Sequence, residues 1–131
     1  EGEDMDSARV RRNALGDRDE SAMSREDIAW AMVAFYKKIV QRRGGAVPAY
    51  WDDAFALVMP NGKVFEERGR RDVMLTGEVH QPIDLNFPLS SLYVGKLTGK
   101  YSAEWSPAEQ ALELRSGKER LTRLFSHLNE R

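Results

Sequence analysis

Everything else in this chain has to be accommodated around the run from Ser24 to Arg43. Ser24 precedes Arg25-Glu26-Asp27, so its hydroxyl can accept from the N3 amide while the Asp27 carboxylate reaches back, in the manner of a capping box. The two acids suit the positive end of a helix dipole. Ile28 to Val40 contains no Gly or Pro, and Gly44-Gly45 ends the run behind Lys37, Lys38, Arg42 and Arg43, cations that suit the negative end. At about 100° per residue, Ile28, Met32, Val33, Phe35, Tyr36, Ile39 and Val40 share one apolar face, wide enough for a sheet to cover. The opposite face holds Lys37, Lys38, Gln41 and Arg42, and among them Trp30 with Ala31 and Ala34.

A helix of this kind needs partners, and the chain supplies short candidates. Pro60-Asn61-Gly62 between Ala54–Met59 and Lys63–Glu67 reads as a hairpin turn, with Phe55, Leu57 and Met59 facing the helix. Ala46 to Asp53 reads as a connection, although Tyr50 to Met59 could instead be a short helix started by Pro48. Arg68-Gly69-Arg70-Arg71-Asp72 reads as an exposed loop. Val73 to His80 is the next expected strand, followed by Ile83, Leu85 and Phe87 in alternation with Asp84 and Asn86. Leu89 to Leu97 fits a strand or a short helix. Tyr101, Ala103 and Trp105 alternate like a strand, and Ser106-Pro107-Ala108-Glu109 suits either a turn or a helix start; Gly117 following so soon favours the turn. Lys118 to Asn129 reads as an amphipathic helix, with Leu121, Leu124, Phe125 and Leu128 at i, i+3, i+4 and i+7.

The expected fold is therefore α+β: a long N-terminal helix packed on a curved antiparallel sheet of about five or six strands, closed by a C-terminal amphipathic helix. Residues 23–131 form the single domain. Residues 1–22 form an acidic tail expected to be disordered, since Met5, Val10 and Leu15 are its only large apolar residues. Val10, Leu15 and the cluster Arg9, Arg11 and Arg12 offer the alternative of a segment that folds on a partner. Residues 1–27 carry nine acids and five bases, a net of −4, whereas 28–131 carry fifteen bases and twelve acids, a net of +3.

These features restrict function more than they assign it. The domain is too weakly basic for a dedicated nucleic-acid stripe. No apolar run reaches about 18 residues, so membrane insertion is not expected. The absence of cysteine removes thiolate and cysteine-zinc chemistry, and fits a cytoplasmic or other reducing intracellular compartment. Gly44-Gly45 ends a helix instead of opening one, the wrong polarity for cradling phosphate. No Gly-x-Ser-x-Gly elbow frames a serine, and His80 and His127 sit in unrelated elements.

The reading that remains is a non-enzymatic protein-protein interaction module, self-associating or a subunit or adaptor of a larger assembly. It needs no cofactor and has no catalytic residue. Its expected contact surface is Trp30, Ala31, Ala34 and Lys37, because Trp is enriched at interface hot spots. Three other classes compete with it. Arg68, Arg70 and Arg71 with Lys96 and Lys100 could contact phosphates while Tyr93, Tyr101 or Trp105 stacks on bases. Asp72, Glu78, His80 and Asp84 could hold Mg²⁺ in a nuclease-like site, although exposed strand acids explain them as well. Trp51, Phe65, Phe87 and Trp105 could line a pocket for a small apolar ligand, but core packing accounts for the same rings.

Overall fold

A computed structural model describes residues 7–129. Among them lie four α-helices: α1 (Ser7–Leu15), α2 (Arg25–Arg42), α3 (Pro107–Glu113) and α4 (Arg115–Ser126). The strands are β1 (Ala46–Val58), β2 (Val64–Thr76) and β3 (Tyr93–Gly95). They form one antiparallel sheet in the order β1-β2-β3.

The central helix forms for local reasons. Ser24 Oγ accepts from Asp27 N at 3.1 Å, and Gly44 and Gly45 take φ of +100° and +92°, which lets Gly45 N reach back to Val40 O at 3.0 Å. Ala29, Met32, Val33, Tyr36 and Val40 are buried along it, with Ile28, Phe35 and Ile39 half-buried beside them. Its main neighbours are not the sheet, however. They are α1 and the 3₁₀ turn Pro88–Ser91.

The segment expected to be a loose tail contributes that first neighbour. Val10 is 2% exposed and packs with Met32, Val33, Tyr36 and Leu92, with Ala14 at the rim, and Leu15 is buried as well. Two apolar residues suffice because α2 presents a face wider than the sheet covers. Gly16, at φ +58°, ends α1, and the Arg18 guanidinium donates to the carbonyls of Ala14 and Leu15. Arg11 pairs with Glu20 across the following turn. Met5 and residues 1–6 lie outside the described part.

The expectation of five or six strands is overturned: three are present among the described residues, and the sheet is open. Two separate causes account for the difference. First, β1 and β2 are one long hairpin of thirteen paired residues each, from Ala46↔Thr76 to Val58↔Val64. The supposed connection 46–53 and the supposed arginine loop 68–72 are thus strand, and Tyr50–Met59 is not helical. The turn itself is as expected: Gly62, at φ +86°, donates to Met59 O at 2.8 Å, and Asn61 Oδ1 accepts from Lys63 N.

Second, two alternating runs are not strands, and the turn expected after them is the start of a helix. At Ile83–Phe87 the Asp84 side chain accepts from Asn86 N and its carbonyl from Phe87 N, a local turn that outcompetes a ladder. Tyr101–Trp105 forms a 3₁₀ turn at Ser102–Glu104. Ser106 caps α3 instead of turning into a hairpin: its Oγ accepts from Glu109 N and its own N donates to Glu109 Oε1. Gly117, read as a stop, lies inside α4. Leu89–Leu97 divides into the 3₁₀ turn and β3.

The helix that covers the hairpin is α4. Arg120 is 7% exposed and lies over Gly69, where a Cβ would overlap its guanidinium. Its Nη2 reaches Asp53 Oδ2 at 3.3 Å. Further along, Arg123 pairs with Glu67 at 3.1 Å and His127 stacks on Phe65 at 3.8 Å between centroids. Gly69→Val is expected to push Arg120 out of this seat and strand the half-buried Asp53, costing about 2 kcal/mol. A double-mutant cycle with Arg120→Met checks this: the double variant should cost less than the two single changes added, because both strand Asp53 and the two positions share one space.

Candidate interaction surface

The hairpin alternates strictly, and the alternation sets both its faces and its edges. Val47, Ala49, Trp51, Asp53, Phe55 and Leu57 on β1, with Phe65, Glu67, Gly69, Arg71, Val73 and Leu75 on β2, are half-buried or buried on the inner face. Ala46, Pro48, Tyr50, Asp52, Ala54, Ala56 and Val58 are exposed on the outer face. Met59 N donates to Lys63 O and Gly77 N to Gly45 O, so the odd-numbered residues of β1 form the hydrogen-bonded pairs with β2. The even-numbered ones aim their N–H and C=O groups away from β2. Among the described residues nothing pairs with that outer edge. Pro48 fits because its missing N–H would have pointed there.

Charge on the outer face is paired at Asp52 and Asp72, and Glu66 is exposed opposite Ala56. Arg68 donates to both Asp52 oxygens, at 3.2 and 2.7 Å, and Arg70 pairs with Asp72 at 3.0 Å while lying over the Tyr50 ring. The side-chain hydrogen bonds from Arg68 hold Asp52 below the usual carboxylate range and raise Arg68 in turn. A carboxyl lowered on folding contributes stability above its unfolded pKa and loses it as pH falls through the folded value. This pair therefore stays intact through mild acid. Toward the tip the β1 side of the face turns apolar, with Ala54, Ala56 and Val58 at 67% exposure, and Val64 at 50% and Glu66 stand beside them on β2.

A second apolar feature adjoins the same edge. The seam expected on the last helix, Leu121, Leu124, Phe125 and Leu128, is rotated: Arg120 and Leu124 are buried, whereas Phe125 is 52% and Leu128 55% exposed. At about 100° per residue, Arg123 and Phe125 lie on opposite flanks of Leu124. Arg123 grips β2 through Glu67, so Phe125, with Leu121 and Leu128, lies on the β1 flank, the side of the open edge.

The residues singled out from sequence are distributed as follows. Trp30 is 37% exposed; Ala34 is exposed and Ala31 and Lys37 half-buried around it. Of the three arginines, Arg68 and Arg70 are on the outer face, whereas Arg71 is on the inner one, 5.9 Å from the Trp51 ring. Lys96 is exposed beyond β3, and Lys100 pairs with Glu109 at 2.9 Å. The five cations do not share a face. Glu78 and His80 are not on a strand; His80 Nε2 meets Glu104 Oε1 at 2.8 Å, and among the described residues no group of three or more His, Asp and Glu is placed to hold a metal ion. Trp51, Phe87, Tyr93 and Trp105 pack in tilted and edge-to-face pairs at 5.8 to 6.1 Å, whereas Phe65 is apart with His127.

Sequence reasoning passed over Tyr50, Ala54, Ala56 and Val58, and placed Phe125 in the apolar seam of the last helix. The signal available was period two from Ala46 to Val58, obscured by Pro48 and the Asp52-Asp53 pair. Among the described residues no helix is long and apolar enough to cross a membrane. Compared with protein-family models, with curated proteins and with solved structures, the chain finds no match.

Proposed function

We propose that the protein is a non-enzymatic protein-interaction module whose contact surface is the outer edge of β1, where an extended segment of a partner chain adds a strand. The observation that carries this reading is the row of outward N–H and C=O groups from Tyr50 to Val58, beside side chains as small as Ala54 and Ala56. Main-chain hydrogen bonds give such an edge its affinity, and neighbouring side chains its selectivity. Edges of this length are usually blunted by charge or covered. Here Asp52 is neutralised by Arg68 and no cover is present among the described residues. The same ion pairs weigh against phosphate binding, since Arg68 and Arg70 are already engaged.

A photo-reactive amino acid placed at Ala54 in the expressing cell tests this. Covalent adducts to protein are expected there and not from Glu26, an exposed position on the first turn of α2. Adducts to nucleic acid alone, or no adducts, would overturn the proposal.

A further inference from the structure

We infer that the segment taken up by β1 is β1 of a second copy of this chain, related by a two-fold axis perpendicular to the sheet near Ala56. This rests on reading the β1 edge as the interaction surface, and it adds the identity of the partner. Pairing about Ala56 places Ala54 opposite Val58 of the second copy and Asp52 opposite its Pro60. The outward-facing N–H groups of Ala54, Ala56 and Val58 then face strand backbone, that of Asp52 faces Pro60 in the turn of the second copy, and no like charges meet along the seam. Registers centred on Asp52 would oppose the two Asp52 carboxylates instead.

The same axis disposes of the second exposed feature. Strands lie about 4.8 Å apart, and α4 spans β1 and β2. Its axis therefore lies about one strand spacing from the two-fold. The two copies of α4 then run antiparallel about 10 Å apart, at the usual distance for packed helices of about 8–10 Å. The flank that carries Phe125 and Leu128, exposed in the single chain, faces its own copy. His127 stacks on Phe65 and Arg123 pairs with Glu67, and these residues lie level with Leu57 and Phe55. Phe125 thus stands near the height of Ala56, on the axis, and Leu121 of one copy meets Leu128 of the other. A single symmetry operation covers both an open edge and an apolar helix flank. That self-complementarity is what an isologous interface requires, and an unrelated extended peptide would leave the helix flank bare.

A few residues of β1 and three of α4 from each chain make an interface below the common size of about 800 Å² per partner. The dimer should be correspondingly weak, with a Kd on the order of 10 μM. Sedimentation velocity from low micromolar to several hundred micromolar is the test. Ala56→Pro removes an outward N–H that has no role within the chain, at a position equivalent to native Pro48, and Phe125→Asp changes an exposed side chain. Neither should move the thermal midpoint by more than about 3 °C, and each should weaken the dimer at least tenfold. A monomer at every concentration would overturn the second copy as occupant, and adducts at Ala54 would then decide the edge reading separately. A dimer insensitive to both variants would overturn the geometry, and sensitivity to Phe125→Asp alone would overturn the shared strand.

Discussion

Val10→Asp is expected to lower the thermal midpoint by about 10 °C. Val10 is 2% exposed and clusters with Met32, Val33, Tyr36 and Leu92, an apolar setting for a carboxylate. Losing the valine side chain forfeits about 2 kcal/mol of burial, and sealing an unpaired carboxyl in its place costs several more. The chain can limit that cost by releasing α1, which is nine residues long and held mainly by Val10, Ala14 and Leu15. Release exposes Met32, Val33, Tyr36 and Leu92, so the penalty settles near 3 kcal/mol, or about 10 °C for a chain of this size. Amide exchange separates release from global unfolding: protection should vanish at Arg12–Leu15 and persist in β1 and β2. An unchanged midpoint would mean that α1 does not belong to the core.

That segment also shows where sequence reasoning ends. Charged composition from residue 1 to 22 argued for a tail, and composition averages over the two residues that matter. Val10 and Leu15 acquire value only because α2 leaves part of its apolar face uncovered by the sheet, a tertiary fact with no local sign. Elements whose causes are local were legible. Ser24 and Gly44-Gly45 bound α2, Pro60-Asn61-Gly62 turns the hairpin, and the leucine spacing marks α4. Strand count failed where alternation was mistaken for pairing. Ile83, Leu85 and Phe87 alternate as strand residues do, but Asp84 bonds the backbone two and three residues on, and no neighbouring strand offers a ladder. The opposite error made β1 and β2 too short, because Asp52, Arg68 and Arg70 look like loop residues until they are seen to share one solvent face.

The candidate surface was less legible than the fold for a related reason. Spacing placed Phe125 and Leu128 on the buried seam of α4, since a period of about 3.6 marks an apolar stripe without saying what touches it. In the folded chain Arg120 occupies that seam, its guanidinium lying over Gly69 and reaching Asp53. A glycine on one strand and an acid on the other, more than fifty residues before the arginine they seat, decide the rotation of the helix and leave the apolar flank outside. Trp30 could be picked out from sequence as a tryptophan among cations and alanines. An open edge cannot be, because backbone groups are identical at every residue and only pairing shows which are left over.

Leu92→Ala is expected to be the most costly apolar truncation, at about 3 to 4 kcal/mol. Leu92 is 0% exposed and lies where the 3₁₀ turn passes into β3, its N donating to Leu89 O at 2.9 Å and its carbonyl accepting from Thr76 N at 2.8 Å. The side chain packs with residues of both α1 and α2, while its backbone belongs to the sheet side. Neither neighbour can collapse into the space: the Thr76 bond holds the strand, and Met32, Val33 and Tyr36 are fixed on a helix capped at both ends. Partial relaxation is what separates the upper from the lower end of leucine truncations, and here little relaxation is available. Leu92→Met, which keeps volume, should cost less than about 1.5 kcal/mol. Chemical denaturation of both variants measures the contrast, and the double change Val10→Ala with Leu92→Ala should cost less than the two singles added, because each truncation lets the other's surroundings relax into one shared cavity. Strict additivity would mean that α1 and the 3₁₀ turn do not meet through Leu92, and would break the link by which the helical layer and the sheet form one core.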